Sequence, residues 1–302
     1  QTFLFDRILK RECDILFSVT GDYTGKFRPY VGMSQNMMLY EREFWGEIKN
    51  FKERGKFYFN FKRQQKCFKN AEGIIFLSNY AEKYISNALD LKNKITTIIH
   101  HGISNKFISE KLEIKTLKNY SNKTPFRFLY ISTVHVYKNQ LHVVEAISKL
   151  REKGYPVELT LIGDVIYKPT GDLLKKSIEN VDPKHEFIEH ILNVPHAEIS
   201  DYYRNHNGII FASSCENMPN ILIEAMASGL IVVGSDVTGA VIDRVQDGVN
   251  GFIHKDNNVE NLFLKLIKLT SLSNDSIDVM RKKSIEVSSE WKLEKGTKLI
   301  YQ

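Results

Sequence analysis

Apolar and polar residues alternate along this chain in blocks that switch between two periods. Phe3, Leu4, Ile8 and Leu9 are spaced for one face of a helix over Thr2–Glu12. Residues 14–19 then read as a buried strand and Tyr30–Ser34, after Pro29, as a second. Leu39–Asn70 is predicted helical, with an interruption near Gly55. An apolar strand over Gly73–Ser78, a helix over Tyr80–Leu89 and a strand over Lys94–His100 follow. Residues 108–125 are Lys- and Asn-rich with weak periodicity and read as a linker. The same grammar then restarts: strand 126–132, helix 139–153, strand 157–163, helix 172–180, strand 186–191, helix 196–205, strand 208–212, a helix carrying Glu224, and strand 230–234. The tail from Asn258 is mostly helical, anchored by Trp291 and Tyr301. Strands alternate with helices and no hairpin signal intervenes, which predicts parallel sheets. The expectation is an α/β chain of two Rossmann-like domains, 1–107 and 126–302, with a cleft between them and ligands at strand C-terminal ends.

Residues 216–229, ENMPNILIEAMASG, concentrate the chemistry. They follow an apolar strand at a strand-to-helix turn, and Glu216 and Glu224 bracket the helix start. Asn217 is the expected N-cap, Pro219 suits the first turn, and Gly229 ends the helix. Free amides at such a start favour phosphate. Ionised carboxylates only accept hydrogen bonds, which suits sugar hydroxyls. Together they suggest a nucleotide-sugar site, although two acids eight apart occur readily by chance among 36 acidic residues.

The run from Ile210 to Ile253 resembles the C-terminal signature of retaining glycosyltransferase family 4. Ser213 or Ser214, the pair Glu216 and Glu224, EAMASG, IVVGSD (231–236) and DGVNGF (247–252) stand in its order. That resemblance implies the GT-B fold: two Rossmann-like domains facing across a cleft, with a C-terminal helix able to cross back. It covers the second half well and residues 13–107 loosely. Family members open with a strand and a Gly-rich loop that nothing before Cys13 supplies, so a first β-α-β portion, roughly 60 residues by usual domain sizes, is expected to be missing.

The implied activity is transfer of a sugar from a UDP- or GDP-linked donor to an acceptor hydroxyl with retention, in bacterial surface-glycan synthesis. The leaving phosphate would act as base in a front-face attack. Carried over residue by residue, Glu216 would face the transferred sugar and Glu224 would hold the donor ribose. Lys138, in a Lys-Asn pair at a helix start, would meet the diphosphate. The family's Gly and Arg before that pair are Ser132 and Thr133 here, so one fixed charge is lost. Asn217, Met218 and Pro219 replace the family's Gly-Phe-Gly. Pro219 has no N–H, which leaves the amides of Met218, Asn220 and Ile221 to bind. Asp164 sits where relatives place a turn near the donor. On the acceptor side, Gln35 or Asn36 fills a slot that is often His, and His101 fills that of an Asn. The family needs no cofactor or metal, and His100-His101 has no third ligand at metal spacing. A GT-B sugar epimerase and a non-catalytic nucleotide-sugar-binding partner remain alternatives.

Charge and cysteines change the picture in two places. Net charge is +6, but residues 1–107 carry +7 and the rest −1. Residues 42–70 hold nine basic and three acidic residues among eight aromatic ones. Such a segment suits an anionic membrane surface, with a solvated helix face as the plainer reading and nucleic acid the least expected partner. The expected acceptor is a glycan or a lipid-linked one. Cys13, Cys67 and Cys215 form no metal or disulfide spacing, which points to a reducing compartment. With no apolar run of membrane-spanning length, the expected location is cytoplasmic, peripheral on the inner face of the plasma membrane.

Overall fold

The computed structural model describes residues 2–41, 45, 51–108, 119–237 and 239–291. It divides into two compact units. One comprises Gln1–His101, Cys215–Met218 and Gly296–Gln302; the other comprises Gly102–Ser214 and Pro219–Lys295. Most of the expected linker (109–118) and the anchor Tyr301 lie outside the described residues, as do 42–44 and 46–50 of the basic segment.

The first unit carries a four-stranded sheet in the order β1-β2-β3-β4: Leu16–Ser18, Tyr30–Ser34, Gly73–Phe76 and Ile95–Ile98. All its pairings are parallel. Helices α1 (Thr2–Glu12), α2 (Phe51–Asn70) and α3 (Asn79–Leu89) connect and cover it. Two expectations fail here. β1 is not buried: it is the edge strand, with Phe17 39% exposed. And α2 runs through Gly55 without a break. A Cβ at Gly55 would meet nothing within 4 Å, so that glycine costs only its intrinsic penalty, about 1 kcal/mol. The packed residues Gln64, Cys67 and Phe68 hold the rest of the helix.

The second unit carries a six-stranded sheet in the order β10-β9-β8-β5-β6-β7. The strands are β5 Phe126–Ile131, β6 Val157–Ile162, β7 Ile188–Ile191, β8 Gly208–Phe211, β9 Ile231–Ser235 and β10 Phe252–His254. Every pairing is parallel. β8 and β9 are buried at every position, as a sheet covered on both faces requires. Helices α4 (Gln140–Glu152), α5 (Lys168–Val181), α6 (Ile199–Asn205), α7 (Asn220–Ala227), α8 (Gly239–Arg244), α9 (Val259–Thr270) and α10 (Asn274–Ser288) complete the unit. The core joins Phe126, Phe128 and Tyr130 of β5 to Ile147 and Leu150 of α4 and to Leu262 and Leu266 of α9. Each fully buried aliphatic side chain there contributes roughly 1.5–3 kcal/mol.

Because β5 is the first strand of this sheet and pairs with both β6 and β8, the chain leaves β5 in one direction and returns to its other side. That is a topological switch point, where loops diverge and leave a crevice at the strand ends.

Candidate functional site

At the C-terminal ends of β5 and β6 lies a cavity of about 280 Å3. It is lined by Ser132 and Thr133 after β5, Gly163 and Asp164 after β6, Asn193 and His196 after β7, and Ile221 and Glu224 of α7. Five of the residues singled out in the sequence are thus brought together: Ser132, Thr133, Asp164, Ile221 and Glu224.

The backbone that forms this cavity depends on one glycine. Gly163 has φ of +143°, and a Cβ there would stand 2.1 Å from the Ser132 carbonyl oxygen. Only glycine lets the ends of β5 and β6 approach so closely. Past that point the two loops stay registered: Ser132 N–H donates to Ile162 O (2.8 Å) and Val134 N–H to Asp164 O (2.8 Å). The Asp164 carboxylate accepts from the Asn193 backbone N–H at 2.9 Å, which ties the β6 loop to the β7 loop.

Glu224 is the chemical centre of the cavity. It is buried in α7, 6% exposed. The Tyr203 hydroxyl donates to its Oε2 at 3.1 Å, and His196 Nε2 stands 3.5 Å from its Oε1. Lys106 Nζ is 3.4 Å from His196 Nδ1. In the neutral Nε2–H tautomer the imidazole accepts from that ammonium and turns its own N–H to the carboxylate. Burial raises the Glu224 carboxyl above the usual range, while Tyr203, His196 and Lys106 draw it back toward the ionised form. Burial and the facing carboxylate push the Tyr203 hydroxyl well up, so it remains a donor. Phe107 packs edge-on against both rings, at 5.8 Å from His196 and 5.7 Å from Tyr203.

Sequence reasoning missed Asn193, His196, Tyr203 and Lys106. They come from three separate elements and share no spacing; VPH (194–196) after a strand is the only local hint. It also misplaced Asn217. The N-cap of α7 is Pro219, with no side-chain capping bond. The Asn217 amide is spent elsewhere, donating to Ser34 O at 3.0 Å and accepting from Ser78 Oγ at 2.8 Å. Glu216, Asn217 and Met218 group with the first unit. Asn220 is exposed at the first position of α7. Gly229, with φ of +77°, follows the C-cap Ser228.

Lys138 is buried in a 3-10 turn, Val136–Lys138, its ammonium 4.9 Å from the centre of the Tyr137 ring. Its neighbour Asn139, with φ of +55°, knits the strand-end loops together. The amide donates to Ala212 O (2.9 Å), Ser214 Oγ (2.7 Å) and Asp256 Oδ1 (3.2 Å). In the first unit, Gln35 and Asn36 line a separate cavity of about 290 Å3 with Asp22, Asn60 and Arg63. His101 is not part of it; burial and the neighbouring His100 hold its pKa down.

A larger cavity, about 800 Å3, runs along the flank of β7 and α5. Its lining includes Glu158, Asp172, Glu179, Glu186 and Glu189, a set that repels a diphosphate. Among the described residues, no three His, Cys, Asp or Glu side chains are grouped so as to hold a metal ion.

The chain is 28% identical over 205 residues to the capsular polysaccharide biosynthesis glycosyltransferase CapM of Staphylococcus aureus, covering 66% of this chain and 52% of that protein. It is 22% identical over 186 residues to the amylovoran biosynthesis glycosyltransferase AmsD of Erwinia amylovora, covering 60% and 48%. The chain therefore spans about half the length of these relatives. Among solved structures, a sucrose-phosphate synthase from Thermosynechococcus elongatus superposes with a TM-score of 0.79 at 14% identity, covering 100% of this chain and 75% of that one. Anabaena Alr3699/HepE, in complex with UDP and glucose, superposes with a TM-score of 0.77 at 15% identity, covering 99% and 79%. These likenesses show the fold, which is GT-B. The family model described as "Glycosyl transferases group 1" matches residues 113–286, more than half of the sequence, and the chain belongs to that family.

Proposed function

We propose that this chain is the donor-binding part of a retaining glycosyltransferase that uses a UDP- or GDP-linked sugar and acts in bacterial surface-glycan synthesis. The observation that carries the reading is the buried Glu224 at the switch-point cavity, held by Tyr203 and His196. A carboxylate that accepts one hydrogen bond on each oxygen still has a lone pair on each for ribose hydroxyls. The names of relatives in capsule and amylovoran synthesis, and the UDP bound by Alr3699/HepE, support the substrate class.

In this scheme the protein positions reactants and stabilises charge on the departing diphosphate. The amides of Asn220 and Ile221, with Lys138, serve the phosphates. Ser132 and Thr133 offer hydroxyls where the family has Gly and Arg. Glu216 faces the transferred sugar. The acceptor is a glycan or a lipid-linked glycan, engaged by the first unit through Gln35, Asn36 and His101. No metal or cofactor is required. The enzyme works at the inner face of the plasma membrane; among the described residues no helix is long and apolar enough to cross one.

The test uses the natural full-length protein with UDP- and GDP-sugars and a lipid-linked glycan acceptor, and follows the anomeric proton of the product by NMR. A product with the donor's configuration is expected. Lys138→Ala should lower kcat more than it raises the donor KM, because its charge matters most as the diphosphate departs. An inverted product, or an epimerised donor with no transfer, would overturn the proposal.

A further inference from the structure

Helix α2 divides the aromatic, basic segment into two faces. On one, Gln64, Cys67 and Phe68 are buried. Phe61 packs edge-on against Tyr40 and Trp45, at 5.6 and 5.8 Å. Tyr40 donates to Gln64 Oε1 at 2.6 Å. This face is ordinary core.

Among the described residues the other face has no such partner. Phe51 is 85%, Tyr58 55% and Phe59 65% exposed. At 3.6 residues per turn, Phe51, Tyr58, Lys62, Lys66 and Lys69 fall on one stripe, flanked by Phe59 on one side and Arg54 on the other. All three of these lysines are exposed. The helix sequence holds seven basic residues and one acidic one, Glu53. Lys62 lies 5.7 Å from the centre of the Tyr58 ring, so the aromatic N-terminal part of the stripe meets its cationic C-terminal part there.

We infer that this face of α2 docks on an anionic phospholipid surface. Apolar rings beside lysines match a headgroup layer, where aromatics enter the acyl boundary and long lysine stems reach back to phosphate. Charge complementarity names the lipid: the stripe is cationic, so the surface must be anionic. Nucleic acid fits less well. Phe51 and Phe59 carry no hydrogen-bonding group, and of the two arginines of α2, Arg54 and Arg63, the latter is paired with Asp22. The inference rests on the membrane location proposed above and is independent of the donor chemistry.

The experiment is co-sedimentation of the whole chain with vesicles of phosphatidylcholine alone and of phosphatidylcholine mixed with phosphatidylglycerol. Circular dichroism and thermal melting establish that each variant is folded. The wild type should bind only the mixed vesicles, and salt should weaken binding. Lys62→Gln, Lys66→Gln and Lys69→Gln should each cost about fivefold in affinity. Phe51→Ser with Phe59→Ser should cost at least tenfold while leaving binding to a single-stranded oligonucleotide unchanged. No binding of wild type to either vesicle would overturn the membrane location. Binding that these variants leave untouched would overturn the assignment to α2 while sparing the location. An oligonucleotide bound more tightly than the vesicles, with loss in the same variants, would assign the face to nucleic acid.

Discussion

The two sheets of this protein use the same parallel grammar and differ in how well they are enclosed. β8 and β9 of the second unit are buried at every position. In the first unit even the central strand β2 keeps half-buried positions, Val31 and Met33, and Leu4, Phe5, Ile8 and Phe17 line an apolar cavity of about 720 Å3 beside the β1 edge. The second unit is closed by helices on both faces, and its strand ends are tightly determined. The first leaves one sheet edge and one helix face unsatisfied by the described residues. The difference shows where precision is needed: a small, polar ligand site demands fixed loops, whereas a surface that meets large partners can leave apolar groups outside.

Glycine substitutions break this comparison most sharply. Gly163→Ala should destabilise the protein by about 4 kcal/mol, from backbone strain of roughly 1–3 and overpacking of roughly 1–3 against Ser132. Urea denaturation measures it, and a loss under 1 kcal/mol would show that the β5 and β6 ends are not locked.

The second largest effect is acid destabilisation centred on His206. Its ring is buried between Tyr202 O and Thr160 Oγ1, at 2.7 and 2.9 Å, and burial lowers its pKa to about 4. The unfolded chain takes up the proton near pH 6.5 while the native state stays neutral. The contribution is therefore complete above pH about 6.5, declines as pH falls, and is exhausted at about 4. It amounts to about 3 kcal/mol. His206→Gln should flatten the stability profile across that window; an unchanged slope would assign the acid sensitivity to other groups.

The smallest effect belongs to the first unit. Gly55→Ala should stabilise α2 by about 1 kcal/mol, since the position is helical and open. A rise in the melting temperature checks it, and a fall would mean that the exposed face is packed in solution.

What the sequence made legible follows the same division. The bounds of α1 and β2 emerge as the apolar spacing predicts, because each element declares itself by period and flanking turns. Gly55 misled because propensity is a local term that the buried face of α2 overrides. β10 and α8 were missed. β10 is three residues long beside the turn at Gly248, whose φ is +80°, too short for periodicity to register. α5 starts at Lys168, a turn before the expected 172, because Pro169 suits a first turn and does not break it. In the cavity, Glu224 was legible because it sits in a contiguous motif. His196, Tyr203 and Lys106 were not, since only the folded sheet brings β7, α6 and the 3-10 turn Asn105–Phe107 to the same carboxylate.

The central claim is that the switch-point cavity holds a nucleoside diphosphate with Glu224 on the ribose. The direct measurement is calorimetric titration of wild type and Glu224→Gln with UDP and GDP and, for whichever binds more tightly, with its 2′-deoxy counterpart. Loss of a charge-assisted hydrogen bond is typically about 1.5–3 kcal/mol, so the substitution should weaken ribonucleotide binding roughly 10- to 150-fold. It should weaken deoxynucleotide binding much less, so that the variant no longer distinguishes the two sugars. Equal losses for both, or wild-type affinity in the variant, would contradict the account.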